Sequence, residues 1–148
     1  MKIVIQRADG QVSLMQLLVE ASSENIEAEI AKWKATAPGE YVSHQIVQDA
    51  DVPKDRTFRN AWSLLGKQIV HDMERARKLH RENLRLMRKK KLAELDIEYQ
   101  RAEEESNVQK KAEVAVKKQA LRDITKNAEI DSAQTVDALK IAALGVLK

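Results

Sequence analysis

The feature that most constrains this chain is a long stretch without glycine or proline, from Asp72 to Glu105. Strong helix formers dominate the stretch. As one helix rising 1.5 Å per residue, it would be roughly 50 Å long. Asp72 is also a residue type that caps helix N-termini. We therefore predict a single long helix that begins at Asp72.

A second helical run follows a break at the sequence ESNVQ. Ser106 and Gln109 have the spacing of a capping box, which predicts a helix that continues to about Lys126. This helix would be about half as long as the first, roughly 27 Å. Because the turn is tight, the two helices are expected to form an antiparallel hairpin. A last helix is expected to start at Thr135 and stop at Gly145.

Charge is distributed unevenly along the long helix, with a basic first half and an acidic second half. The returning helix is basic, so it would lie along the acidic half. Exposed ion pairs contribute only about 0–1 kcal/mol each, so apolar contacts would supply most of the stability. The expected seam pairs Leu92, Leu95, Tyr99 and Ala102 with Val108, Ala112, Ala115 and Leu121.

The first 50 residues have a different pattern. In residues 2–19, two β-rich runs flank an Asp-Gly pair, which predicts a β-hairpin. A helix capped by Ser23 and ended by Pro38-Gly39 follows, and residues 40–50 indicate a third strand. We therefore predict an α+β fold in three parts: a small head at 1–50, a junction at 51–70, and a helical hairpin with a C-terminal helix at 71–148.

The junction contains the sequence DVPKDRTFRNAW, from Asp51 to Trp62. Pro53 would end the preceding strand. Phe58 and Trp62 are four residues apart, so they would share one face of a helical turn and could wedge the head against the root of the long helix. The alternative is that Phe58, Arg59 and Trp62 form a site for a partner protein.

The basic half of the long helix extends beyond the shorter helix and has three interpretations. It is either a solvated face whose Leu79, Leu84 and Met87 pack internally, a docking surface for another protein or a second copy, or a nucleic-acid-binding surface. The phosphate backbone attracts any such patch, but no stacking aromatic residues interleave with these cations. The candidate partner-binding cations are Arg81, Arg85, Arg88, Lys89, Lys90 and Lys91.

Residues for catalysis or metal binding are sparse. The chain has no cysteine, which excludes thiolate sites. His71 and His80 are nine residues apart, unlike the i, i+4 pair of a helical zinc site. The scattered glycines form no phosphate-binding loop. We therefore predict a non-enzymatic protein without a cofactor or metal. No apolar run approaches the roughly 20 residues of a membrane span, and the N-terminus turns polar too early for a signal peptide, so we expect a cytoplasmic location.

Several segments together resemble a family of small proteins encoded by tailed bacteriophages. The segments are DVPKDRTFRNAW, HDMERARKLHRENLR, LAELDIEYQRAEE and KKQALRDITKNAEIDSAQTVDALK, and they span residues from about 45 to 148. The C-terminal part is also similar to phage tail-fibre assembly chaperones, which carry an ALRDIT-like element. The sequence RKKK at 88–91 departs from the family pattern, where small residues and a proline are usual.

This resemblance implies a role in phage morphogenesis at the tail or its fibres, either as a virion component or as an assembly chaperone. The implied partners are other phage structural proteins, with several copies of the chain in an assembly or a homo-oligomer. The implied location is the host cytoplasm during assembly, and the virion for a structural component. Nucleic-acid binding through the basic half-helix is the alternative function.

Overall fold

The computed structural model describes residues 1–18 and 20–147 and has the predicted α+β fold. It divides into two compact units, Met1–Asp72 and Met73–Lys148. The segment 51–70, expected to be a junction, belongs to the first unit. Val19, the last residue of the expected hairpin region, lies outside the described residues.

A three-stranded antiparallel sheet forms the centre of the first unit. The strands are β1 (Lys2–Arg7), β2 (Val12–Gln16) and β3 (Tyr41–Val47), in the order β2-β1-β3. The predicted hairpin is confirmed: β1 pairs with β2 in antiparallel register. Gly10 has a φ of 77° in the connecting turn, a conformation that glycine adopts without a steric penalty.

Both faces of the central strand β1 are buried. Successive side chains in a strand point to opposite faces, so Val4 contributes to one apolar cluster and Ile3 and Ile5 to the other. The cluster on the Val4 face contains Val4, Val12, Val47, Val52, Trp62 and Ile69. The cluster on the other face contains Ile3, Ile5, Leu17 and Ile30.

Helix α1 (Ser23–Thr36) contributes Ile30 to the second cluster. The expected cap at Ser23 is wrong by one residue. Ser22 has extended backbone angles, and its side chain accepts a hydrogen bond from the Asn25 amide at 3.2 Å. Of the two successive serines, Ser22 is the cap because its backbone angles are not helical.

Residues 59–71 form a β-hairpin that the sequence interpretation missed. A short 3-10 turn (Arg59–Ala61) leads into β4 (Trp62–Leu65), which pairs with β5 (Gln68–His71). The hypothesis that Phe58 and Trp62 share one helical face is therefore wrong, because Trp62 begins a strand. The sequence pattern of a tight hairpin was present, because two β-rich runs flank Gly66. In the structure Gly66 has a φ of 62°.

Helices α2 (Met73–Glu104) and α3 (Val108–Asp123) begin the second unit and confirm the two predicted helices. The predicted capping box at Ser106 is wrong. Ser106 has a φ of 54°, and the Asn107 amide donates to the Ala102 carbonyl at 2.8 Å, a pattern that ends helices. Asn107 caps α3 by accepting from the Lys110 amide at 2.9 Å.

The C-terminal segment contains four short helical pieces. They are a 3-10 turn (Ile124–Lys126), α4 (Ala128–Ser132), α5 (Val136–Ile141) and a second 3-10 turn (Leu144–Leu147). The predicted start of the last helix at Thr135 is confirmed, because Thr135 caps α5 by accepting from the Ala138 amide. The expected run to Gly145 is interrupted because Ala142 is extended and Ala143 has a φ of 62°. The sequence interpretation missed α4, which Asn127 caps by accepting from the Glu129 amide.

Trp62 should dominate the stability of the first unit. It is 0% exposed and packs within the Val4 cluster. We expect Trp62→Ala to lower the free energy of unfolding by about 3–5 kcal/mol, measured by chemical denaturation. Leu65→Ala is the matched control, because Leu65 is 70% exposed. A Trp62→Ala variant as stable as wild type would contradict a core role for this side chain.

The hydrogen bond between Trp62 and His71 should make stability depend on pH. Trp62 Nε1 donates to His71 Nε2 at 2.9 Å, so this nitrogen must be unprotonated, and burial lowers the pKa of His71 from its ordinary value of 6.5. The stabilising contribution is therefore complete above that value and is lost as the pH falls through the lowered pKa.

We expect the denaturation midpoint to fall with acidification in this window, and to fall less in His71→Gln. The control is His44→Gln, which removes a histidine on β3 without altering the pair. Equal pH dependence of wild type and His71→Gln would refute this role.

Candidate interaction surface on the helical unit

The two long helices pack along a seam that differs from the prediction on the α3 side. Ala102 on α2 and Val114 and Leu121 on α3 are buried. The expected α3 seam residues Val108, Ala112 and Ala115 are exposed. The three alanines of α3, Ala112, Ala115 and Ala120, are all exposed, so counting alanine as apolar gave a misleading seam. Lys111 and Lys118 are partly buried and lie one helical turn from Val114 and Leu121 on the same face of α3. Lysine stems can cover apolar surface while their ammonium groups stay in water.

The predicted charge complementarity between α2 and α3 is confirmed by three ion pairs. Lys118 Nζ lies 2.6 Å from Asp96, Lys110 Nζ lies 3.8 Å from Glu98, and Lys111 pairs with Glu103. Lys111 and Lys118 also lie over the Tyr99 ring, at 5.6 and 5.0 Å from its centroid. The hydrogen bond with Glu103 raises the pKa of Lys111. These contacts occupy the acidic half of α2.

Four side chains on one face of the basic half bind the end of α3 or the C-terminal segment, and we call them the donor row: Arg77, His80, Arg81 and Arg88. Arg77 Nη2 donates to the Ala133 carbonyl at 2.8 Å, and Arg81 Nε donates to the Thr125 carbonyl at 3.1 Å. Arg88 Nη1 donates to the Arg122 carbonyl at 2.8 Å. His80 Nε2 lies 2.9 Å from the Ala142 carbonyl and must carry the proton, because a carbonyl only accepts.

The four acceptors share a structural position, since each carbonyl lies at the C-terminal end of a helical piece. Arg122 is in the last turn of α3, and Thr125 is within the 3-10 turn that follows. Ala133 and Ala142 are the residues directly after α4 and α5. Carbonyls at helix C-termini lack partners within their own helix, and the helix dipole makes cations favourable there. The donor row therefore satisfies the ends of four successive pieces.

Four further cations of the basic half lie on the surface. Arg85, Lys89, Lys90 and Lys91 are all exposed. Beside them lie two large exposed aliphatic side chains, Leu86 at 71% and Met87 at 51%. Together with Leu147 from the C-terminal 3-10 turn, they line a depression of about 450 Å³ that is bordered by Lys90 and Lys91. We call Leu86, Met87 and Leu147 the apolar patch.

A second depression of about 350 Å³ adjoins the apolar patch and also contains Lys91 in its lining. Its apolar side chains include Leu95, Leu121 and Val146, and Glu94 and Glu98 also line it. The two depressions thus follow α2 from Leu86 towards Glu98. At 1.5 Å per residue this is a strip of about 18 Å.

The structure separates the predicted partner-binding residues into three groups. Phe58 and Trp62 are 1% and 0% exposed, so their rings lie in the interior, while Arg59 is exposed. Arg81 and Arg88 belong to the donor row. The other four candidates, Arg85, Lys89, Lys90 and Lys91, surround the apolar patch or lie on the same exposed side of α2.

Sequence reasoning missed both the donor row and the apolar patch. The spacing of Arg77, His80, Arg81 and Arg88 places them on one helix face, which was a usable signal. The sequence could not identify the groups that accept their hydrogen bonds, because these are backbone carbonyls distant in sequence. Leu147 was missed for the same reason, since only tertiary packing brings it beside Leu86.

The described residues offer no group of three or more histidine, aspartate or glutamate side chains arranged to hold a metal ion. Within the same residues, no helix combines the length and apolar character that crossing a membrane requires.

Arg81 and Arg85 form a matched pair for testing the donor row, because they are one turn apart on the same helix. Arg81 also bonds Asp131 at 2.6 Å, whereas Arg85 is exposed. We expect Arg81→Ala to lower the free energy of unfolding by about 1–3 kcal/mol and Arg85→Ala to change it by less than about 0.5 kcal/mol. Chemical denaturation measures both. Equal effects of the two substitutions would contradict the assignment.

Comparison with known protein families, with curated proteins and with solved structures finds no match to this chain. The resemblance to tailed-phage proteins therefore stays a prediction from the quoted motifs.

Proposed function

We propose that this chain is a non-enzymatic protein–protein interaction module of bacteriophage morphogenesis, associated with the tail or the tail fibres. It acts either as a virion component or as an assembly chaperone. The motifs DRTFRNAW and ALRDIT support the phage assignment by resemblance. In this proposal its partners are phage structural proteins, and it functions in the host cytoplasm during assembly.

The observation that carries the interaction part of the proposal is the exposure of large aliphatic side chains on the helical unit. Contiguous exposed apolar surface often marks a protein-binding site. The apolar patch combines residues from two segments of the chain in one depression. On α3, Val108 and Val116 are 77% and 70% exposed, so a second face of the hairpin is also available for packing beside copies or partners.

The proposal predicts a morphogenesis defect when the reading frame is inactivated in a phage genome that carries it. We expect particles with absent or defective tails or fibres in negative-stain electron microscopy, and restoration by the full chain supplied from a plasmid. Mass spectrometry of wild-type virions then separates the two roles, because a virion component is present and a chaperone is absent. Infectious particles of normal morphology without the protein would contradict the proposal.

Nucleic-acid binding is the alternative, and the exposure of Arg85 and Lys89–Lys91 favours it. Its support is limited because Arg77 and Arg81 already bind carbonyls of the C-terminal segment and Arg88 binds a carbonyl at the end of α3. Salt-dependent binding of duplex DNA by the full chain, lost in a variant with Arg85, Lys89 and Lys90 changed to Gln, would support this alternative. Arg88 should be left intact in that variant, because its removal would also disturb the fold.

A further inference from the structure

The apolar patch has a composition that restricts what can bind there. Its aliphatic residues are Leu86, Met87 and Leu147, and the charged residues in its lining are Lys90 and Lys91. Methionine is common at surfaces that accommodate varied partners because its side chain is flexible and polarizable. No aromatic side chain lines the depression, so nucleic-acid bases would have no surface on which to stack.

Charge complementarity decides the chemistry of the occupant. Lys89, Lys90 and Lys91 follow the patch along α2 and are all exposed, whereas the exposed Glu82 lies four residues before Leu86 and Glu94 and Glu98 line the adjoining depression. The cationic part of the surface is therefore the stretch Lys89–Lys91, and carboxylates of the occupant are expected opposite it. The ion pair that involves these lysines is weak, with Lys91 Nζ at 3.7 Å from Glu94. A segment that buries aliphatic side chains here would therefore bring its own carboxylates within reach of Lys89 and Lys90.

The shape of the surface favours a helix as the bound element. The patch and the adjoining depression follow α2 over about 18 Å, and both are lined by Lys91. An amphipathic helix presents apolar anchors at i, i+3, i+4 and i+7, which suits an elongated groove between helices. A strip of this length corresponds to about three turns of a docked helix.

We propose that the apolar patch is the docking site for an acidic amphipathic helix of a partner protein. Aliphatic anchors of that helix occupy the depression beside Leu86, Met87 and Leu147, and its carboxylates pair with Lys89, Lys90 and Lys91. This inference rests on the proposed interaction function and specifies the class of partner.

The test uses the full chain and a fluorescent peptide of about four helical turns, with leucine at i, i+3, i+4 and i+7 and mostly glutamate elsewhere. We expect saturable binding by fluorescence anisotropy that weakens as salt is added. A peptide of the same composition in scrambled order, and a version with lysine in place of glutamate, should each bind about tenfold more weakly or not at all.

Matched variants locate the binding site. We expect Leu86→Asp to weaken peptide binding about tenfold or more, while Val116→Asp, which changes an equally exposed aliphatic residue on α3, has little effect. Lys90→Glu should weaken binding, and Lys67→Glu in the first unit should not. Because all four side chains are exposed, circular dichroism should show unchanged helix content, which separates lost binding from misfolding.

Several results would overturn the proposal. These are equal binding of the ordered and scrambled peptides, or wild-type affinity in Leu86→Asp. Tighter binding of duplex DNA or of phosphatidylserine vesicles through the same residues would assign the patch to another class of ligand. Self-association abolished by Leu86→Asp would assign it to a second copy. A normal phage phenotype without the protein, together with site-specific peptide binding, would instead refute the morphogenesis role and leave the docking site standing.

Discussion

The second unit depends on hydrogen bonds from the donor row of α2 to carbonyls at the ends of the C-terminal helical pieces. Helices α4 and α5 have only five and six residues, well below the length at which an isolated helix is stable in water. The carbonyls at the C-terminal ends of α4 and α5 would lose their hydrogen bonds to water if they were buried without another partner. Arg77 and His80 supply partners after α4 and α5. The long helix thus acts as a template on which the shorter pieces are fixed.

This arrangement divides the positive charge of α2 between two roles. The inward-facing arginines neutralise helix ends and bind backbone carbonyls, which are structural tasks that need no external ligand. The outward-facing cations Lys89, Lys90 and Lys91 remain beside Leu86 and Met87. Although the net charge of the chain is only +3, cations are concentrated locally next to apolar surface. That combination is the physical basis for proposing a partner protein with acidic and aliphatic side chains.

Sequence patterns predicted the elements whose stability is local. The uninterrupted helix formers of α2, the hairpin around Gly10 and the Thr135 cap all appear where they were expected. The errors occur where tertiary contacts choose between alternatives of similar local preference. By local preference, Trp62 could continue a helical turn or begin a strand. In the folded chain it begins a strand and packs against Val4 and Val52. On α3, Ala112 and Ala115 were expected in the seam but are exposed, and the partly buried Lys111 and Lys118 lie beside Val114 and Leu121 instead.

The candidate site was predictable only in part for the same reason. The basic half of α2 was identified, but which cations face inward depends on backbone carbonyls of the C-terminal segment. The spacing of Arg77, Arg81 and Arg88 could have indicated a shared face, although not its partner. The apolar patch requires Leu147 to lie beside Leu86, and residues so far apart in sequence meet only through the complete fold.

The most direct test of the donor row is hydrogen exchange followed by mass spectrometry on the full chain. Wild type should be compared with a variant in which Arg77, Arg81 and Arg88 are all changed to Gln. We expect faster amide exchange within residues 124–142 of the variant and unchanged exchange in the α2–α3 hairpin near Tyr99 and Val114. Identical exchange profiles for the two proteins would contradict the claim that the donor row fixes the C-terminal segment.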